Sequence, residues 1–471
     1  MMHYLPKIIL ITTLSTLGLL ASSLEDNMTQ ENEPSLFIPQ TPDLSFNTES
    51  TGKYYSDLQK NLEQNLSAKT TLHNAITIAL ENSYILKSSL EKTYQAQHTV
   101  AESETSLFPT ASATIEDGVS RQYFGGSDYD AFEARILSLS LKQNLYDAGE
   151  NNAKIESSNY ALDESIYKYR EVLEKEILKT IEAYLSVVFN SMAIQSNSEN
   201  MKKLNHILDI VKIKRQNGAA TIGDESSIAA NVANAKATLI KIESKYSDSK
   251  SYYEFILGIA INNEHPYQSE FEMKTEDIDT IINSVEENNI LLRINQSKLL
   301  AKQASLKANL ATNKPTLDFS FSVSKRNSFG GGNGIEDDTR AMLRLNHLFY
   351  DAGKRESRSA RILSEISALN YNDSQSRKKL MWDVKKLYNS INTLDATLVN
   401  THDELSATYT MVDTYWETFR LSSQDLDILL QAQRQLNKTQ LNILKFQQNR
   451  INDFFKLLAK EGTLIRYFGL E

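Results

Sequence analysis

Apolar positions along this chain follow two periods. In "TLDFSFSVS" (residues 316–324), Leu317, Phe319, Phe321 and Val323 alternate with Thr316, Asp318, Ser320, Ser322 and Ser324. A period of two predicts a strand with one apolar and one polar face. Its partner "RAMLRLNHLF" (residues 340–349) sets Ala341, Leu343 and Leu345 against Arg340, Arg344 and Asn346. In the first half, Leu137, Leu139 and Leu141 alternate with Ser138, Ser140 and Lys142. Each half therefore supplies one β-hairpin, about 110–146 and about 316–349. Each hairpin turns at a glycine-rich loop, "YFGGSD" from Tyr123 and "SFGGGNG" from Ser328.

The rest of the pattern is helical. Leu380, Val384, Leu387, Ile391, Leu394 and Leu398 are spaced four and three residues apart. That is the stripe of a coiled-coil seam. Leu173, Ile177, Ile181, Tyr184 and Val188 form a similar stripe. Ile290, Ile294, Ser297, Ala301, Ala304, Ala308 and Ala311 keep the spacing with smaller side chains, which allow close helix approach. Almost no glycine or proline interrupts residues 150–216 or 354–421. A helix of about 65 residues is roughly 100 Å long. Each long helix turns, at "RQNGAATIGDESS" from Arg215 and "RLSSQDLDILLQAQ" from Arg420, into a second helix. Two antiparallel helical hairpins are the simplest reading.

The halves match element by element. "YDAG" at Tyr146–Gly149 returns at Tyr350–Gly353, 204 residues later. Pro109 and Pro315, 206 apart, each end an incoming helix, because proline lacks the N–H and restricts the residue before it. The chain reads as an internal duplication, 71–270 and 271–471.

Composition narrows the function. The 471 residues carry a net charge of −10 and no cysteine. Disulfides and thiolate metal sites are excluded, and the acidic balance argues against nucleic acid. Residues 1–23 read as a signal peptide: Lys7, an apolar run from Ile8, then small residues at Ala21–Ser23. Residues 24–70, with Pro34, Pro39 and Pro42, read as a polar N-terminal extension. No later stretch reads as apolar enough for a membrane helix. An exported chain is then soluble or a β-barrel, whose strands escape hydropathy scans.

Catalytic chemistry finds no support. There is no phosphate-binding G-x-x-x-x-G-K-[ST] loop. The seven histidines are scattered without metal-ligand spacing. Acidic residues alternate with lysines along helix faces, which is solvated surface. No enzyme, cofactor or metal site is expected. Four strands cannot close a barrel alone, since small barrels need about eight. Three copies would supply twelve strands with their apolar faces toward lipid.

Taken together, the duplicated proline–hairpin–"YDAG"–long-helix unit, "TLHNAITIALENSYIL" from Thr71 and "GAATIGD" at 218–224 resemble the TolC family of bacterial outer-membrane efflux proteins. The resemblance implies an α+β membrane protein: a homotrimer with a 12-stranded outer-membrane β-barrel, four strands per chain, continued by a long periplasmic α-helical coiled-coil tunnel. It implies a passive exit duct for type I protein secretion, small-molecule efflux or both. Its partners would be outer-membrane lipid, a periplasmic adaptor (membrane fusion) protein and an inner-membrane ABC or proton-driven exporter. "YDAG" would mark the corner where strand becomes helix. Tyr146 and Tyr350 would join the interfacial aromatic girdle, Asp147 and Asp351 would cap the helix, and Gly149 and Gly353 would permit close packing. Near the tunnel entrance, Gly218, Thr221 and Asp224 match the family pattern. The second turn departs from it. Ser422 stands where glycine is usual, and Asp425 and Asp427 are out of register with the family's aspartates. The alternative is a secreted coiled-coil structural or adhesive protein.

Overall fold

The computed structural model describes residues 72–120, 123–124, 127–128, 132–260, 273, 276–327, 335–421 and 426–470. The signal-peptide and extension segments, 1–23 and 24–70, lie outside these residues, as does the loop 328–334.

Each half repeats one order of elements. α1 (Leu72–Asn82) and α2 (Tyr84–Thr105) lead into β1 (Thr110–Ser120). A two-residue ribbon, β2 (Tyr123–Phe124) with β3 (Ser127–Asp128), precedes β4 (Phe132–Tyr146). α3 (Glu150–Gln216) and α4 (Ile222–Leu257) complete the first half. The second half comprises α5 (Ile278–Asn288), α6 (Ile290–Ala311), β5 (Thr316–Asn327), β6 (Ile335–Asn346), α7 (Lys354–Leu421), α8 (Leu426–Glu461) and the short α9 (Leu464–Tyr467). Elements before the hairpin recur 206 residues on, and those after it 204 on. α1, α2 and α4 have the same lengths as α5, α6 and α8: 11, 22 and 36 residues.

One-residue breaks separate α1 from α2 and α5 from α6. The Ser83 hydroxyl accepts from Leu86 N at 3.2 Å, and Asn289 Oδ1 accepts from Leu292 N at 3.2 Å. These side chains satisfy an N–H left open where a new helix starts. Apolar periodicity continues across both breaks, so the pattern of the sequence does not mark them.

The four long strands form one antiparallel sheet in the order β1-β4-β5-β6. Its register separates two faces. Ala111, Leu141, Phe321 and Ala341 share one row, and Ala113, Leu139 and Val323 the next. On the other face, Ser112, Ser140, Ser322 and Arg340 share a row, and Ser112 and Ser140 hydrogen-bond at 2.7 Å. The apolar side chains Ile115, Leu343 and Leu345 are exposed. β6 stops at Asn346, short of the expected 349, because β5 begins opposite it at Thr316.

Burial concentrates in the helices. The α3 stripe Leu173, Ile177, Ile181, Tyr184 and Val188 is buried, with Tyr184 edge-on to Tyr253 at 6.0 Å. Leu380, Val384 and Ile391 of α7 are buried as well. α3 also corrects one expectation. One of its windows is apolar and long enough to cross a membrane by composition, and half of that window is buried in this packing. Each long helix keeps its continuity because no Gly or Pro falls inside it.

Candidate functional site

At the junction of β4 and α3, the chain reverses from extended to helical within three residues. Asp147 Oδ1 accepts from Gly149 N at 2.9 Å and Oδ2 accepts from Asn151 N at 2.8 Å. The second copy repeats this: Asp351 accepts from Gly353 N and Arg355 N, both at 3.0 Å. Each carboxylate thus serves orphan N–H groups where the helix dipole is positive. The Arg355 N–H, with the Gly353 N–H and the Arg355 charge, lowers the Asp351 carboxyl below its ordinary range, against the opposing effect of desolvation.

The glycines do a different job from the one expected. Gly149 and Gly353 have φ of 87° and 78°. A Cβ on Gly149 would meet nothing within 4 Å, and on Gly353 only Glu356 Oε2 at 3.6 Å. Left-handed backbone, not close packing, requires glycine there. The preceding Ala148 and Ala352 share that region, at φ 57° and 56°. No sequence signal marked these strained alanines. Pro109 and Pro315 sit immediately before β1 and β5, four residues beyond the helix ends. Tyr146 and Tyr350 are exposed at 56% and 83%. Leu348, Phe349 and Phe108 are exposed too.

At the far end of the helices, α3 closes with Gly218 at φ 74°, and Gly218 N donates to Arg215 O at 3.0 Å. Thr221 opens α4 with a reciprocal cap. Its hydroxyl accepts from Asp224 N at 3.1 Å, and Asp224 Oδ2 accepts from Thr221 N at 2.7 Å. Arg215 pairs with Glu225 at 2.6 Å. Ser422 and Asp425 lie outside the described residues. Asp427, exposed in the first turn of α8, accepts from Ser227 Oγ at 3.2 Å. Two further ties join the hairpins: Lys214 Nζ donates to Phe419 O at 2.5 Å, and Arg434 Nη1 to Asn231 Oδ1 at 2.6 Å. Beneath them Ile207, Val211, Ile228, Phe419, Leu429 and Leu430 form an apolar core drawn from all four helices. The structure therefore brings Asp224 and Asp427 to one end, each already holding a partner in its own chain.

Among the described residues no group of three or more His, Cys, Asp or Glu could hold a metal ion.

The sequence profile of a family described as "Outer membrane efflux protein" matches residues 75–258 and 281–462. The chain belongs to the outer membrane efflux protein family. The two matched segments fall one on each structural repeat. Members of this family are non-enzymatic channels of the outer membrane, act in tripartite efflux systems and form trimers. The chain is accordingly an outer-membrane efflux channel protein, and the adhesive coiled-coil alternative falls. Solved structures share its fold. The outer membrane protein VceC of Vibrio cholerae is 14% identical, with a TM-score of 0.72 over 83% of this chain and 96% of that one. The Campylobacter jejuni CmeC outer membrane channel is 13% identical, with a TM-score of 0.72 over 92% and 94%. A membrane protein from Pseudomonas aeruginosa is 14% identical, with a TM-score of 0.75 over 83% and 90%. No curated relative matches the chain.

Proposed function

We propose that this efflux channel is the trimeric outer-membrane duct of a tripartite export system. Three copies close a 12-stranded barrel, and their α2, α3, α6 and α7 helices continue it into the periplasm. The observation that carries this reading is the two-faced sheet with both edges open. An apolar face without a core above it needs lipid, and two unpaired edges need strands. The serine-rich face then lines water. Tyr146, Tyr350 and their exposed neighbours fit an interfacial girdle. The helical tips, with Gly218, Thr221, Asp224 and Asp427, form the entrance and face a periplasmic adaptor. The duct is passive. An inner-membrane ABC or proton-driven exporter supplies the energy. Small molecules are one cargo class, and proteins of type I secretion are the other. No pocket in this reading selects between them.

The test is native mass after extraction from outer membranes in mild detergent. Three chains, after subtraction of detergent, are expected; a detergent-independent monomer refutes the barrel. Deleting the gene and assaying drug tolerance beside secreted proteins divides the cargo classes. Lost secretion with unchanged tolerance removes the small-molecule role. At the entrance, Asp427→Asn should raise single-channel conductance in a planar bilayer, since it removes a charge without opening a helix cap. Unchanged conductance takes Asp427 out of the entrance ring.

A further inference from the structure

The duplication fixes not only the order of elements but also their register. Ile115 of β1 faces Leu137 of β4; their counterparts 206 and 204 residues on, Phe321 and Ala341, face each other in β5 and β6. Thr110 faces Lys142, and the counterparts Thr316 and Asn346 also face each other. Both hairpins therefore obey the same pairing. The sheet contains a third junction, β4 with β5, which joins the two repeats. Within one chain this junction has no counterpart. Its counterpart would lie between β6 of one copy and β1 of the next.

The ends of the strands point the same way. β4 remains a strand through Tyr146 because Gln143, Asn144 and Tyr146 pair with β5, beyond the last partner in β1. The matching residues after Asn346 have no β5 partner left, and β6 ends there. Phe349 and Tyr350 are exposed at 89% and 83%.

We propose that β6 of one copy pairs antiparallel with β1 of the next in the register of the β4–β5 junction. This rests on the closed-ring reading and deepens it to individual residues. Ser140 opposite Ser322 maps to Arg344 opposite Glu116 of the next copy. Leu141 opposite Phe321 maps to Leu345 opposite Ile115, and Leu137 opposite Lys325 maps to Ala341 opposite Val119. The apolar face stays continuous across the seam. On the polar face the row Asn144, Asp318, Arg344 gains Glu116. Opposite charges thus meet directly, a favourable cross-strand pair. Displacement by two residues puts Thr114 or Gly118 opposite Arg344 and loses that match. Copies joined head to tail in this way close by rotation into a ring.

The absence of native cysteine makes the test clean. Directly opposed residues have Cα atoms about 4.5–5.5 Å apart, within disulfide reach. Diagonal neighbours about 7–8 Å apart are beyond it. The chain carrying Glu116→Cys with Arg344→Cys should give an oxidant-dependent ladder of covalent multimers from outer membranes. Glu116→Cys with Met342→Cys, displaced by two, should give at least tenfold less. Ile115→Cys with Leu345→Cys tests the same register on the lipid face, in case the charged pair is needed for assembly. A stronger link in the displaced pair overturns the register. So does failure of both matched pairs while native mass stays multimeric. A monomeric native mass overturns the ring itself, which separates the two failures.

Discussion

At the scale of single residues, glycine acts through backbone conformation in two ways. Gly149 has a left-handed φ in open space, so Gly149→Ala should cost only the strain, about 1 kcal/mol. Gly462 has φ 81°, and an added Cβ would stand 2.3 Å from Asn288 O. Gly462→Ala should therefore lower the thermal midpoint far more than Gly149→Ala, which a pair of melting curves would check. A buried acid gives a second prediction. Glu174 Oε1 is buried without a hydrogen-bond partner. Burial first, and Glu171 second, push its carboxyl up to about 8, with Lys460 and Lys175 opposing. The folded chain then holds a proton that the unfolded chain releases. Stability falls as pH rises from the ordinary value of 4.5 through 8. Glu174→Gln should flatten that slope and gain ~1–3 kcal/mol at pH 8, with little change at pH 4.5. A pH series of denaturant midpoints would reveal it. The capping by Asp147 could be reasoned from residue type and position. The need for a left-handed Ala148 could not, because alanine carries no such preference.

Elements show how far pattern reading reaches. Strand alternation and heptad stripes pointed to the second hairpin and the long helices because one face of each must be buried or immersed in lipid. The ribbon β2–β3 gave no period to detect over two residues. The mixed character of α8 was also hidden. Beyond the apolar core at the tip, its seam with α3 turns polar: Gln433 Nε2 donates to Asn200 Oδ1 at 2.9 Å, and Asn437 Nδ2 to Asn197 Oδ1 at 3.2 Å. Ser196 Oγ donates to Gln440 Oε1 at 3.2 Å. Asn200 and Gln433 are both buried, so each satisfies the other. Asn200→Leu alone should cost ~1–3 kcal/mol by stranding Gln433, and adding Gln433→Leu should restore much of it. A double-mutant cycle from chemical denaturation measures that coupling. Additive losses would mean that the two side chains act independently. Such a seam is invisible in a sequence, because its members are 233 residues apart.

For the molecule as a whole, the repeats are joined through β4–β5, a contact across nearly two hundred residues. The duplication was legible because "YDAG" and the two prolines keep their offsets. The faces of the sheet were legible from alternation. What each open edge pairs with was not, since nothing local distinguishes an edge strand from a central one.

Those open edges also set the order of events in the life of each chain. In the single chain, before the proposed ring forms, β1 and β6 expose rows of unpaired N–H and C=O groups beside an apolar surface. Such a strand recruits any other strand it meets, so the newly exported chain is most hazardous while it is alone. The helices pack both within each hairpin and between the repeats, all inside one chain, and can form early, whereas in the proposed ring the sheet must wait for lipid and neighbours. Production faster than assembly should therefore fill the periplasm with precipitate rather than with soluble single chains.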